Sequence, residues 1–207
     1  YGGTTKNPWN LEQGSSGSSA GSGSSTAAGL VPFALGTETL GSIVSPSTRN
    51  GVTGLRPTFG RVSRAGAMAL SWTMDKIGPM TRSALDCALV LDAIRGEDNK
   101  DLTVQNHPFN YTGKADLSKL KIGYLKDYFD GGRGSQKIND SISLEVLKSL
   151  GATLEPVEWV SDMPFGAMQA ILTAEASAAF DALTRSDQDT LLVRQNAGAW
   201  PNLFRAA

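Results

Sequence analysis

The sequence has little of what most hydrolytic and metal chemistry rests on: among 207 residues there is one cysteine and one histidine. A lone Cys87 excludes an internal disulfide and any cysteine-rich metal cage. With His107 the only imidazole, zinc would find too few ligands. Cys87 falls in a helical pattern and reads as a buried structural thiol. His107, in the loop-like stretch QNHPFN, reads as a surface or satisfied residue rather than the base of a Ser-His pair. No cofactor and no metal are therefore expected. An excess of either charge is lacking too: nineteen Lys and Arg against twenty Asp and Glu leave a net charge of −1. That balance points to no direct nucleic-acid or membrane partner. No apolar window of about 18 residues is present, so no membrane segment is expected. No signal peptide is visible either. Cytoplasmic location is the default expectation, and an export signal on a longer precursor would lie beyond this sequence. The remaining composition, 40% hydrophobic and 19% charged, suits one globular domain or at most two.

Serine and glycine are abundant and concentrated. Of the thirteen residues from Gly14 to Thr26, seven are serine and four are glycine. Alone, that composition describes a flexible, solvated linker. The continuation argues otherwise, because the tract runs directly into Ala27, Ala28, Leu30, Val31, Phe33, Ala34 and Leu35. A second turn follows, Gly36-Thr-Glu-Thr-Leu-Gly-Ser42-Ile-Val-Ser-Pro46. Small residues flanked by apolar ones imply close packing. Ser18 to Gly29 predicts a helix capped by Ser18 or Ser19 and stopped by Gly29. Its glycines and serines each cost up to about 1 kcal/mol relative to alanine, so tertiary contacts have to hold it. Val31 to Leu35 predicts a buried strand, and Gly36 to Pro46 a loop in which Gly36 and Gly41 permit positive φ. Two Ser/Gly turns separated by a helix and a strand bring hydroxyls and backbone N–H groups to one sheet edge, as a nucleophile site requires.

Elsewhere, residues 1 to 13 read as an ordered loop anchored on the core by Trp9, with Lys6 a loop lysine. Gly51 to Arg64 reads as a sheet segment ending in a turn. Ser83 to Arg95 is the clearest helix, with an S-x-x-D cap at Ser83 and Asp86 and Gly96 as the stop. Its apolar coverage implies burial on most sides. Residues 97 to 118 form a surface excursion. Leu120 to Leu125, Ser141 to Leu150 and Thr153 to Val157 make a β-α-β unit that favours a parallel pair with a right-handed crossover. A helical region with Met168, Ile171 and Phe180 follows, and WPNLFRAA brings no closing element. The order of elements argues an α/β layered fold.

Three stretches carry a resemblance: GSSAGSGSSTAAGLVPFALGTETLGSIVSP, GVTGLRPTFGRVSR and SWTMDKIGPMTR, running from Gly17 to Arg82 without a gap. Together they resemble the amidase signature hydrolases, and the upstream YGGTTKNPWN also fits. The resemblance implies an α/β/α fold with a large mixed sheet flanked by helices. Residues 1–207 would be part of a single domain, with a signature core at about 1–96 and a continuation at about 118–207. The sequence joins the family pattern partway, so a fragment shortened at both ends is expected.

A serine hydroxyl must give up its proton as it attacks. With histidine nearly absent, the base must be a lysine or a relay ending in one. The resemblance implies such a relay: a nucleophile at Ser42, a bridging serine at Ser18 preceded by a cis peptide bond from Gly17, and a lysine outside this chain. It places a supporting hydrogen bond at Ser19 and the oxyanion-binding N–H groups in the loop of Thr39, Leu40, Gly41 and Ser42. Leu40 stands where glycine is usual and Val44 where arginine is usual. These spellings are closer to peptide-amidase-like members, favouring a sizeable, less anionic substrate. Arg56, Asp75, Arg82 and Gly78-Pro79 read as loop braces, and Trp72 and Met74 as pocket or core residues. The implied activity is hydrolysis of a linear carboxamide, with a small-molecule or peptide amide as substrate and homo-oligomer formation left open. The alternatives are an amidotransferase A-type subunit that releases ammonia from glutamine for tRNA-linked transamidation, and a catalytically inert fragment.

Overall fold

The computed structural model describes residues 2–132, 134–159 and 162–206. In chain order a short hairpin, β1 (Lys6–Asn7) and β2 (Asn10–Gly14), leads into α1 (Ala20–Ala27), β3 (Ala34–Glu38) and α2 (Val44–Asn50). Strands β4 (Thr53–Gly54) and β5 (Lys76–Thr81) and helix α3 (Ala84–Ile94) follow. Next come β6 (Lys121–Leu125), α4 (Lys126–Gly131), α5 (Gly134–Ser149) and β7 (Thr153–Val157). Helices α6 (Phe165–Ala179), α7 (Asp181–Arg185) and α8 (Trp200–Ala206) close the order. The architecture is mixed α/β, and its contacts group into two compact units, Thr112–Pro164 and the remainder. Helices α6 to α8 group with the residues before Thr112.

The larger unit is built on an antiparallel ladder in the order β3-β5-β4. Ala34 pairs with Met80, Glu38 with Lys76, and Thr53 with Thr81. Ile43 and Met80 are fully buried beside it, with Cys87, Ala88 and Leu91 of α3. Gly36 marks where α1, α2 and β5 converge: a Cβ there would lie 2.9 Å from Met80 Sδ and Ser19 Oγ and 3.0 Å from Ile43 Cγ1. Only glycine lets these elements meet this closely.

Several expectations shift. The strand expected at Val31–Leu35 begins at Ala34 and runs to Glu38. Pro32 has no N–H to give a ladder, and Arg82 draws the preceding turn away by donating to Thr26 O and Val31 O at 3.3 and 3.1 Å. The expected loop Gly36–Pro46 is therefore part strand, and from Val44 it is helix. Pro46 is tolerated in that helix because it sits in the first turn. Within Gly51–Arg64 only Thr53–Gly54 is strand. Helix α3 keeps its cap, Ser83 Oγ accepting from Asp86 N at 3.1 Å, but it is not buried on most sides. Cys87, Ala88 and Leu91 share the face toward β4 and β5, and the helical period turns Leu85 and Leu89 outward, Leu89 being 61% exposed. Trp9 is 71% exposed. It fastens its loop through a single hydrogen bond, indole Nε1 donating to Asn50 O at 2.9 Å, rather than by burial.

WPNLFRAA does bring a closing element, α8. Phe204 stacks on Phe180 with centroids 4.7 Å apart. Arg205 Nη2 pairs with Asp189 Oδ2 at 2.5 Å, the Asp189 side chain being wholly buried and that of Arg205 38% exposed. Removing one partner of such a pair strands a buried charge. Arg205→Leu is thus expected to destabilise the fold by about 3 kcal/mol, the low end of that range because Arg205 is partly solvated. Chemical denaturation of the variant beside Asp189→Asn/Arg205→Leu, in which the loss is largely restored, checks it.

In the smaller unit β6 and β7 pair in parallel from Lys121↔Thr153 to Leu125↔Val157. The helix expected at Ser141–Leu150 extends back to Gly134 as α5. Among the described residues no helix is long and apolar enough to cross a membrane.

Candidate active site

The site is assembled where β3 ends. After Glu38 the chain turns through Thr39, Leu40 and Gly41 and enters α2. Gly41 has φ 93°, a conformation that Cβ-bearing residues resist. Ser45 N donates to Gly41 O at 2.8 Å, so Ser42 lies in the hydrogen-bonded turn that leads into α2. The turn is tied from beneath by Glu38, whose side chain is wholly buried. Its Oε2 accepts from Ile43 N at 2.8 Å and Val44 N at 3.0 Å, and its Oε1 accepts from Arg56 Nη1 at 3.3 Å. Burial opposes ionisation of Glu38, but the N–H groups of Val44, Ile43 and Gly41 and the Arg56 guanidinium outweigh it and hold the carboxyl below its usual range. A buried anion thus faces the start of α2, where the helix has unsatisfied N–H donors.

The serine tract is pinned against this turn. Ser19 N donates to Ser42 O at 3.1 Å, and Ser19 Oγ exchanges hydrogen bonds with Thr37, donating to Thr37 O at 3.1 Å and accepting from Thr37 N at 3.0 Å. Asn50 Nδ2 donates to Ser15 O at 3.0 Å and Pro46 O at 2.7 Å, and Ser16 Oγ bonds Ser45 Oγ at 2.6 Å. The Gly17–Ser18 peptide bond is cis. These fixed points lie on β3, on α2 and on the turn between them, which is why a linker-like composition forms no linker.

Of the residues singled out from the sequence, Ser18 and Thr39 line a cavity of about 340 Å³ together with Thr37, Trp72, Asp75 and Lys76. Ser42 and Gly41 are half-buried and are not among the residues that line this cavity, and Leu40 is 55% exposed. Ser19 is buried and Gly17 is exposed. Of the two pocket candidates, Trp72 lines the cavity and Met74 does not. Asp75 braces the loop: its Oδ1 accepts from Thr39 Oγ1 at 2.5 Å and its Oδ2 from Leu70 N and Ser71 N at 2.8 and 3.0 Å.

Sequence reasoning missed Glu38, Lys76, Asp101 and Glu175. Lys76 Nζ donates to Met74 O and approaches Thr39 O at 3.4 Å. Burial, reinforced by the nearby Arg56 charge, pushes its ammonium pKa down. Asp101 accepts from Arg64 N, Nε and Nη2 at 3.0, 2.8 and 3.2 Å, which drives its carboxyl far below the usual range. Only Glu38 had a usable signal, an acid placed between two threonines at the end of an apolar run. His107 is exposed and bonded to Gln105 Oε1 at 2.8 Å. Burial raises the pKa of the Cys87 thiol. Among the described residues no cluster of His, Cys, Asp and Glu could hold a metal ion.

The family whose sequence profile matches this chain is described as Amidase, over residues 1–205. The A-type chain of a glutamyl-tRNA(Gln) amidotransferase from Lysinibacillus sphaericus is 47% identical over 160 residues, covering 74% of this chain and 32% of that protein. The chain thus spans about a third of the length of that curated relative. Native peptide amidase from Stenotrophomonas maltophilia superimposes with a TM-score of 0.83 at 32% identity, over 100% of this chain and 47% of that enzyme. The corresponding A-type chain of the glutamyl-tRNA(Gln) amidotransferase from Thermotoga maritima gives a TM-score of 0.75 at 30% identity, over 91% and 44%.

Proposed function

The chain belongs to the amidase signature family, and from that premise we propose that it carries the serine machinery of an enzyme that hydrolyses a linear carboxamide through an acyl-Ser42 intermediate. We place all 207 residues within a single amidase signature domain. The observation that supports this reading most is the hydrogen bond from Ser19 N to Ser42 O, which sets two sequence-distant Ser/Gly turns side by side, each turn contributing a neighbouring residue, Ser18 and Thr39, to the lining of one cavity.

In this mechanism Ser42 Oγ attacks the substrate's carbonyl carbon. Its proton passes to Ser18, and the proton of Ser18 to a lysine supplied from outside these residues. Negative charge developing on the carbonyl oxygen is met by N–H groups of the Thr39–Ser42 loop, held still by Glu38, Asp75 and Ser19 so that little reorganisation accompanies the reaction. The relay returns a proton to the leaving nitrogen as the C–N bond breaks. Water then adds to the acyl-Ser42 carbonyl and gives a proton to the same relay, which returns it to Ser42 Oγ as the C–Oγ bond breaks and the carboxylic acid product leaves. No cofactor takes part.

The 47% identity to an amidotransferase chain favours a second reading, in which the ammonia is passed on from glutamine to a tRNA-linked carboxylate. Ammonia release that depends on partner subunits and charged tRNA would select it. The direct test of the serine chemistry is labelling of the full-length protein with a fluorophosphonate, located by mass spectrometry. Labelling confined to Ser42 and lost in Ser42→Ala is the expected result. Labelling at another serine, or undiminished labelling in that variant, would overturn the assignment.

A further inference from the structure

We propose that Glu175 of α6 is a positioning residue that holds residues 65–75 in place as the outer wall of the cavity, and so sets a preference for carboxamides with a bulky apolar acyl group. The proposal rests on the amidase reading above. The segment has three attachments. At its start Arg64 is fixed by Asp101 and donates through Nη1 to Trp72 O at 2.5 Å. At its end Asp75 gathers Leu70 N, Ser71 N and the Thr39 hydroxyl. Between them, the crest is held by α6: Glu175 Oε2 accepts from Ser71 Oγ and from Thr73 N at 3.1 Å, and Oε1 accepts from Thr73 Oγ1 at 2.8 Å.

These bonds bracket Trp72, which lines the cavity along with Met68, Leu70 and Leu102. Glu175 makes no ion pair among the described residues, so its carboxylate is satisfied by neutral donors of this segment. Burial resists its ionisation, yet the Ser71 and Thr73 bonds prevail and keep it charged. Bonds to an ionised acceptor are roughly twice as strong as neutral ones, which suits a carboxylate to holding a segment that has little burial of its own. Met68 and Leu102 are among the most exposed apolar side chains of the chain, at 84% and 92%. A wall with so little packing behind it takes its position from its hydrogen bonds. The lining is mixed, with Arg64, Asp75, Lys76, Lys100 and Asp101 beside the apolar residues; it is the apolar group of side chains, in a volume of about 340 Å³, that suits a phenyl-sized acyl group.

Glu175→Ala and Glu175→Gln in the full-length protein, assayed with acetamide and benzamide, test this. For benzamide KM should rise about tenfold in Glu175→Ala, with kcat little changed and acetamide unaffected, since a displaced apolar wall costs selectivity of that order. Glu175→Gln, which keeps an acceptor oxygen, should fall between. Hydrogen exchange at the Ser71 and Thr73 amides should quicken in parallel. Unchanged exchange, or equal effects on the two amides, would overturn the proposal. Failure of the amidase reading looks different: the wild type would hydrolyse neither amide, while exchange and the quenching of tryptophan fluorescence by bound benzamide would still report whether Glu175 sets the wall.

Discussion

Ser42→Ala in the full-length protein is expected to lower kcat for carboxamide hydrolysis by about 10^4-fold or more while leaving KM near its original value, because it removes the covalent route but not the cavity. Ser18→Ala removes the proton's first stop instead, and a loss of about 10^2- to 10^4-fold is expected. The two serines act as a unit, so the double variant should be no worse than Ser42→Ala alone. Ammonia release at saturating amide measures all three. The geometry makes the prediction specific, since Ser42 is anchored on both sides by groups other than its own hydroxyl. Its carbonyl accepts from Ser19 N, and the next two amides bind Glu38. Alanine at this position keeps all of those bonds, so lost activity can be assigned to the missing hydroxyl rather than to a collapsed loop. A Ser42→Ala enzyme within about tenfold of the wild type would mean that the nucleophile lies elsewhere.

The residues differ in how far their sequence announced their role. The Ser83–Arg95 helix was legible because its cap and stop are local: Ser83 bonds Asp86 three residues on, and nothing distant is needed. The parallel pair of β6 and β7 was legible from two β-rich runs around a helix, as Lys121↔Thr153 confirms. Strand β5 was not. Its core, Ile-Gly-Pro-Met, carries the two residues least suited to a central strand. It is a strand all the same, because β3 lies along it and the Pro79 carbonyl still accepts from Leu55 N at 2.9 Å. At the site, the two Ser/Gly turns stood out because small residues cluster there for close packing, and within them it was the resemblance to the amidase signature hydrolases that singled out Ser18 and Ser42. Glu175 could not have stood out. It acts on Ser71 and Thr73, more than 100 residues earlier, and no local pattern encodes a partner at that distance.

Glu38 is where fold and site are hardest to separate, and its replacement should show both effects. Glu38→Ala leaves two N–H groups at the start of α2 and the Arg56 charge without their acceptor, a loss expected to be about 3 to 5 kcal/mol. Glu38→Gln preserves shape and one acceptor but not the charge, so about 1 to 3 kcal/mol is expected. The linkage with pH separates charge from shape. Because the folded pKa of Glu38 lies below its unfolded value of about 4.3, its ionic contribution is full above that pH. It declines as pH falls through the lower folded value. The stability gap between wild type and Glu38→Gln, measured by urea denaturation, should therefore be constant from about pH 7 to 5 and close below about pH 4. A gap that persisted undiminished at about pH 3 would assign the effect to shape alone. Activity should fall alongside stability in Glu38→Gln even where the protein remains folded. The same carboxylate that satisfies Ile43 and Val44 fixes the turn on which Ser42 is mounted, and a turn that must reorganise as charge develops stabilises that charge less.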